Sequence, residues 1–453
     1  MSSHDKKKPV ESYFSRDIQG SVSVPGDKSI SHRAVILGGI ASKETRITGL
    51  LESDDIFNAI KSMSYLGASF EKIGLEWIVR GVGNGCLLAP EKPLYFGNSG
   101  TGCNLIMGIA GVYDFRAVFQ GDESLSKRPM RRVLDPLCMM GVQVEPVDSN
   151  YLPLALHGPK NPNPIFYNMP IASSQVKSAI LLASLNTPGI TSIVEDVKTR
   201  DHTERMLREF GVDLLIQYSA SGKRSIHLEG RCNISGCNLN VPGDFSSAAF
   251  LLAAALLIPG SNLQILNVGI NPSRIGLIDT LQEMGADISI LNPRVDSSED
   301  ISDIQVRFSK LRGIFIPENR VPFMIDEYPI LAVIAAFAKG KTTMKGLREL
   351  RFKESDRLSA IVEGLKINNV DCEAGEDYLV IRGSPGGRGI GSRIGHMVKT
   401  RFDHRIAMSF IVMGLASEYP VIVDDYSMIS TSFPNFIELM QGLGARIKIK
   451  TEK

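Results

Sequence analysis

Cysteine is scarce, net charge is almost absent and no apolar run is long, and each shortage excludes a class of function. The six cysteines, Cys86, Cys103, Cys138, Cys232, Cys237 and Cys372, include no C-x-x-C pair, which removes the common zinc and thiol-redox motifs. A chain of 453 residues has core enough to fold without disulfide staples, so reduced thiols are expected. His202 has no second His or Cys at metal-binding spacing and reads as a structural hydrogen bonder, so no metal site is expected. The longest apolar run, Ala248 to Ile258, stops at Pro259-Gly260, short of the about 20 residues that cross a bilayer, and reads as a buried helix. Met1 to Val10 holds three lysines without an apolar signal core or the Arg- and Ser-rich character of a transit peptide, which makes the cytoplasm the expected location. A formal net charge of +1 offers no general basic face to nucleic acid or an anionic membrane, so neither is expected as a partner. Any anion binding must come from cations clustered locally.

What is present is repetition. The length favours two domains of about 200 residues each. A helix-like stretch ending in Gly or Asn and followed by an alternating strand recurs six times, pivoting at Gly67, Gly141, Gly211, Gly285, Asn369 and Gly444 at near-even spacing. A helix C-cap needs positive φ there, which Gly and then Asn supply at least cost. Val24-Pro-Gly-Asp27 and Val241-Pro-Gly-Asp244 each lead into an apolar helix, Ile30 to Ile40 and Ser246 to Leu257. Splitting six units three and three makes these segments the crossings between domains. Residues 24–242 then form an inserted domain, residues 1–23 plus 243–453 the other, and two linkers form a hinge.

Several helices begin at polar or glycine-rich segments, where free N–H groups and the positive dipole end suit anions. These are Pro25 to Arg33, Gly97-Asn-Ser-Gly-Thr-Gly102 before Cys103 to Gly108, Ser173-Ser-Gln-Val-Lys177 before Ser178 to Leu185, and Arg200-Asp-His-Thr-Glu204. Taken singly, each fits an ordinary capped helix or turn as well as a site. Lys353-Glu-Ser-Asp-Arg357 places two cations at i and i+4, read as one helix face beside Leu358, Ile361 and Leu365, and Asp403-His-Arg405 precedes the apolar Ile406 to Leu415. Cations in a first turn oppose the dipole unless an anion lies between.

Together these segments resemble, from about Gly20 to Lys450, the 5-enolpyruvylshikimate-3-phosphate synthase family, particularly its class II form. Gly26-Asp-Lys-Ser29, Gly97-Asn-Ser-Gly-Thr101, Lys127-Arg-Pro129, Ser173-Ser-Gln175, Arg200 to Glu204, Lys353 to Arg357 and Asp403-His-Arg405 carry the likeness in the family's order. The resemblance implies an α/β, two-domain enolpyruvyl transferase fold, an inside-out α/β barrel with three βαβαββ units per domain and a two-stranded hinge. It implies a cytoplasmic monomer without cofactor that acts on phosphoenolpyruvate and shikimate-3-phosphate. Ser29 and Arg33 would hold the shikimate carboxylate, and Ser173, Ser174, Arg200 and Lys353 its phosphate, with Lys28, Gln175 and Asp326 also lining that substrate. Lys28, Gly100, Arg128 and Gln175 would hold the phosphate of phosphoenolpyruvate, and Arg357 and Arg405 its carboxylate. Asp326 would accept the proton of the attacking hydroxyl, with Glu354 as proton donor and Lys28 as its rival, although a glutamate among cations is expected to favour its ionised form.

Two phosphates and two carboxylates carry about five or six negative charges, and Lys28, Arg33, Arg128, Arg200, Lys353, Arg357 and Arg405 can balance them. Departures from the pattern are Asn104, where many relatives have arginine, Thr431, where the other class has lysine, and the sequences Ser173-Ser-Gln175 and Asn271-Pro-Ser-Arg274. Gly100, where resistant class II relatives have alanine, implies sensitivity to the herbicide N-(phosphonomethyl)glycine. Rival readings are the sister transferase that uses UDP-N-acetylglucosamine, and a non-catalytic anion- or RNA-binding relative.

Overall fold

A helix that is buried on nearly every face must be covered on every side, and six helices among the described residues meet that condition. They are Lys28–Ile40, Gly100–Ala110, Ser174–Ser184, Phe245–Leu257, Tyr328–Phe337 and His404–Ala416, each buried along most of its length. The computed structural model describes residues 7–450. The part of the N-terminal reading that falls on residues 1–6 lies outside the described residues.

Four of the six helices, Gly100–Ala110, Ser174–Ser184, Tyr328–Phe337 and His404–Ala416, are the crossover of a β-α-β pair, the connection that a parallel strand pair requires. Lys28–Ile40 and Phe245–Leu257 occupy the equivalent places, but the strands that lead into them are exchanged. A second helix and an antiparallel strand pair complete each repeat; the pair is a hairpin except where Arg446–Ile449 joins Val10–Tyr13. In one copy Phe166–Asn168 pairs in parallel with Ile190–Glu195, which pairs antiparallel with Arg224–Glu229, and Leu215–Tyr218 lies outermost. Four of the six four-stranded sheets repeat this order, first-second-fourth-third. The other two keep the same spatial pattern with one strand from elsewhere in the chain: Asn238–Asn240 stands first beside Glu44–Thr48, and Val10–Tyr13 stands between Val421–Val423 and Arg446–Ile449. The pivots are left-handed as the repeat requires, with φ of 106° at Gly67, 102° at Gly141, 79° at Gly211, 95° at Gly285, 60° at Asn369 and 102° at Gly444.

The chain divides into two compact units, Gly26–Pro242 with Val295–Glu299, and Met1–Pro25 with Gly243–Arg294 and Asp300–Lys453. Each has its own apolar core, formed by three of the buried helices with three sheets around them. The two Val-Pro-Gly-Asp segments exchange strands. Gln19–Ser23 pairs with Asn262–Gly269, the sheet served by Phe245–Leu257, yet the chain continues from it into Lys28–Ile40. Asn238–Asn240 pairs with Glu44–Thr48, the sheet served by Lys28–Ile40, yet continues into Phe245–Leu257. The exchange is reciprocal in its hydrogen bonds: Asp27 N–H donates to the Pro242 carbonyl at 2.7 Å and Asp244 N–H to the Pro25 carbonyl at 2.8 Å.

Helix starts differ from expectation where a cap intervenes. Lys353 and Glu354 are not helical: a 3-10 helix, Leu347–Phe352, precedes them, Lys353 is extended, and the helix Arg357–Ile367 begins only after Asp356. The Asp356 carboxylate accepts from Ser359 N–H at 3.0 Å, so the local cap wins over the i, i+4 pattern. Arg405 lies inside the first turn of its helix, because Asp403 caps it by accepting from Arg405 N–H at 3.0 Å. Gly100 likewise opens its helix rather than preceding it, with Ser99 as the cap.

Candidate active site

In the unit built on residues 26–242, three buried helices run parallel with their first turns together. Gly108 permits this: a Cβ there would stand 2.4 Å from the Ala179 carbonyl oxygen, so the backbones of Gly100–Ala110 and Ser174–Ser184 nearly touch. Asp27, Ser99 and Ser173 cap the three starts through their side-chain oxygens, accepting from Ile30, Gly102 and Val176 N–H. The N–H groups beside Lys28, Ser29, Gly100, Ser174 and Gln175 therefore belong to first turns, whose dipole ends favour an anion.

The side chains there are held in place. Lys28 pairs with the buried carboxylate of Asp55. Arg33, 3% exposed, donates from Nε to Thr203 Oγ1 at 2.6 Å, from Nη1 to the Ser29 carbonyl at 2.8 Å and from Nη2 to Ser178 Oγ at 2.7 Å. Burial pulls its pKa down to about 10 against the opposing pull of Glu204 and Asp27. Arg128 donates to Asn98 Oδ1 and, at 3.1 Å, to Ser124 Oγ, while its buried Nε has no hydrogen-bond partner. Gln175 accepts from Asn104 Nδ2 at 2.6 Å and donates to Thr101 Oγ1 at 3.0 Å. His32 shares a 3.1 Å hydrogen bond with Ser99 Oγ. Burial, reinforced by Lys28 and Arg33, keeps its pKa well below the usual imidazole range.

Arg200 precedes the helix His202–Glu209, on a segment anchored from beneath. Thr199 donates from its N–H and Oγ1 to Glu195 Oε1. Glu195 and Glu204 are each paired with both Lys177 and Arg224 at 2.7–3.1 Å, and all four are buried. Burial pushes the Glu204 pKa up, but Lys177 and Arg224 outweigh it and hold the carboxylate below its ordinary value. Two cations against two acids leave no uncompensated charge, the condition under which burial is tolerable. His202, as read from the sequence, is a hydrogen bonder: its Nδ1 lies 2.7 Å from Glu299 Oε1.

In the other unit the Asp326, Lys353, Glu354, Arg357 and Arg405 side chains form one cluster. Asp326 sits in the turn Ile325–Glu327 ahead of Tyr328–Phe337, with Arg357 Nη1 at 3.2 Å and Lys353 Nζ at 3.8 Å from its carboxylate. Arg357 is fully buried and also pairs with Glu354 and, through Nε at 2.8 Å, with Asp403. Burial lowers its pKa, but Asp403, Glu354 and Asp326 together raise it above the ordinary arginine value. Arg405 reaches the Asp326 carbonyl at 3.4 Å and Glu327 at 3.9 Å. Behind it, Ser246 donates to Glu327 and accepts from Arg274 Nη2 at 2.7 Å.

Sequence reading gave no role to Asp55, Asn98, Thr203, Arg274, Glu327 or Asp403, the supports of the expected ligands. Asn98, Thr203, Arg274 and Asp403 lie inside quoted segments, so a local signal existed for them, whereas Asp55 and Glu327 had none there. The departures also find places. Asn104 bonds Gln175, Arg274 supports Ser246, and Thr431 donates to the Met428 carbonyl at 2.8 Å, ending a 3-10 turn without contributing charge.

Residues 13–440 match the family model described as EPSP synthase (3-phosphoshikimate 1-carboxyvinyltransferase). A 3-phosphoshikimate 1-carboxyvinyltransferase of Rhizobium johnstonii is 57% identical over 445 residues, covering 98% of each chain. One of Brucella canis is 57% identical over 440 residues, covering 97% of each. A solved EPSP synthase structure from Acinetobacter baumannii superimposes with a TM-score of 0.85 at 40% identity, covering 98% of this chain and all of that one. Sequence, repeat architecture and clustered cations thus agree, and the chain belongs to the EPSP synthase (3-phosphoshikimate 1-carboxyvinyltransferase) family.

Proposed function

We propose that this chain transfers the carboxyvinyl group of phosphoenolpyruvate to the 5-hydroxyl of shikimate-3-phosphate and releases phosphate, in the pathway to chorismate and the aromatic amino acids. One observation supports the assignment of roles: Lys28, Ser29, Gly100, Ser174, Gln175, Arg357 and Arg405 stand in first turns of helices, with Ser173 as a cap. Ser29 and Arg33 take the shikimate carboxylate, and Ser173, Ser174, Arg200 and Lys353 its phosphate. Lys28, the Gly100 N–H, Arg128 and Gln175 take the phosphate of phosphoenolpyruvate. Arg357 and Arg405 take its carboxylate, for which the guanidinium fork suits two oxygens.

Asp326 accepts the 5-hydroxyl proton as that oxygen bonds to C2, while Glu354 delivers a proton to C3; Lys28 is its competitor for that role. The C2–O bond to phosphate then breaks and one methyl proton leaves, which restores the double bond in the product. We further read the protein as a cytoplasmic monomer acting on small molecules alone, without cofactor, nucleic acid or membrane. The net charge of +1 supports the exclusion of nucleic acid, and among the described residues no helix is long and apolar enough to cross a membrane.

Phosphate release tests the reaction. It is expected with both substrates together and with neither alone, and release with UDP-N-acetylglucosamine in place of shikimate-3-phosphate would transfer the reading to the sister enzyme. Asp326→Ala is expected to lower kcat by about 10²–10⁴-fold, as for a lost general base, with little change in KM for shikimate-3-phosphate. Equal losses in both parameters would remove Asp326 from the proton-transfer role.

A further inference from the structure

We propose that Asn104 is a positioning residue, which sets the sense of the Gln175 carboxamide and through it the affinity for the phosphate of phosphoenolpyruvate. The inference rests on the reading of Gln175 as a ligand of that phosphate. Asn104 stands one turn into the helix Gly100–Ala110 and Gln175 in the first turn of Ser174–Ser184, brought side by side by the close approach at Gly108. Asn104 Nδ2 donates to Gln175 Oε1 at 2.6 Å, and Gln175 Nε2 donates to Thr101 Oγ1 at 3.0 Å.

A carboxamide has one acceptor oxygen and two N–H donors. Asn104 occupies the oxygen and Thr101 takes one N–H, which leaves the second N–H for an anion. Turning the Gln175 amide over by itself would bring two NH₂ groups together and offer an oxygen lone pair where a phosphate is to bind. Asn104 opposes that turn as long as its own amide keeps Nδ2 toward Gln175. It does so without charge, and it leaves its own Oδ1 buried with no hydrogen-bond partner. A buried acceptor left unmade is unfavourable, so packing alone does not explain an amide at this position. A leucine of similar size would fill the space without the orphan oxygen.

Three single variants and one double variant of the full-length chain test this, read as KM for each substrate, kcat and thermal midpoint. Asn104→Leu removes the donor and is expected to raise KM for phosphoenolpyruvate about three- to tenfold, the loss of roughly one hydrogen bond, with KM for shikimate-3-phosphate within about twofold. Asn104→Asp can only accept, so it forces the opposite amide sense and is expected to raise the same KM further. In the Asn104→Leu/Gln175→Ala double variant the leucine is expected to add nothing to the effect of Gln175→Ala. An unchanged KM in Asn104→Leu, tolerance of Asn104→Asp, or additive effects in the double variant would each overturn the role of Asn104. If Gln175→Ala by itself leaves KM for phosphoenolpyruvate unchanged, the phosphate-site reading fails first and takes this inference with it.

Discussion

Gly100 illustrates how one absent methyl acts through a neighbour. A Cβ there would lie 3.1 Å from Arg128 Nη1 and 3.7 Å from Leu125 Cδ1. By resemblance Gly100 implied sensitivity to the herbicide; in the fold a methyl there presses on the guanidinium that Asn98 and Ser124 hold. Such crowding costs about 1–3 kcal/mol, about five- to 150-fold in affinity. The parent is expected to be inhibited by N-(phosphonomethyl)glycine in competition with phosphoenolpyruvate, and Gly100→Ala to raise the inhibition constant by about five- to 150-fold while raising KM for the shorter substrate less. Titrations at several phosphoenolpyruvate concentrations decide it, and equal effects on inhibitor and substrate would rule out steric discrimination. His32 gives a pH dependence. Its folded pKa lies well below 6.5, chiefly through burial, so the unfolded chain takes up a proton first as pH falls through 6.5. Stability is therefore expected to drop below about pH 6.5, by at most about 1.4 kcal/mol per unit from this group. Thermal midpoints between pH 7.5 and 5 should fall less steeply in His32→Gln than in the parent.

Among elements, the helix Ser174–Ser184 carries a buried cation into a four-membered charge cluster. Lys177 lies on it, paired with Glu195 before the Arg200 segment and with Glu204 on the helix after it. Lys177→Met would leave two buried glutamates to Arg224 alone, and breaking a buried pair this way costs about 3–5 kcal/mol. Adding Glu204→Gln should recover part of the loss, since it restores one cation to one acid. Denaturant unfolding of the parent and both variants measures it, and no recovery in the double variant would mean that the quartet is not acting as a unit. Because Glu204 is held below its ordinary pKa of 4.5, its contribution is complete above that value and lost as pH falls through its folded pKa. The apolar helices themselves were legible, but their starts lie one to four residues earlier than read, at Lys28, Gly100, Ser174, Phe245 and His404, because side-chain caps at Asp27, Ser99, Ser173, Asp244 and Asp403 extend the helix into the polar segment. Lys353 was misread because periodicity says nothing of a competing cap three residues on, at Asp356.

For the molecule as a whole, the chain passes between its two units at the Val-Pro-Gly-Asp segments and again on either side of Val295–Glu299. We propose that the units close on substrate, so shikimate-3-phosphate is expected to lower the radius of gyration measured by small-angle scattering, and an unchanged value would remove the hinge. The sequence by itself determined the six repeats, their left-handed pivots and the capped apolar helices, because φ > 0, capping and periodicity are properties of a few neighbouring residues. Only the tertiary structure decided what those helices carry to one another: that Arg33 is spent on Thr203 and Ser178, that Arg357 is gripped by Asp326, Glu354 and Asp403, and that Asn104 meets Gln175. Most of these partners are far apart in the chain, and hydrogen bonds and ion pairs act over a few ångströms. No local pattern encodes them, and they exist only once backbone packing such as that at Gly108 has brought the helices together.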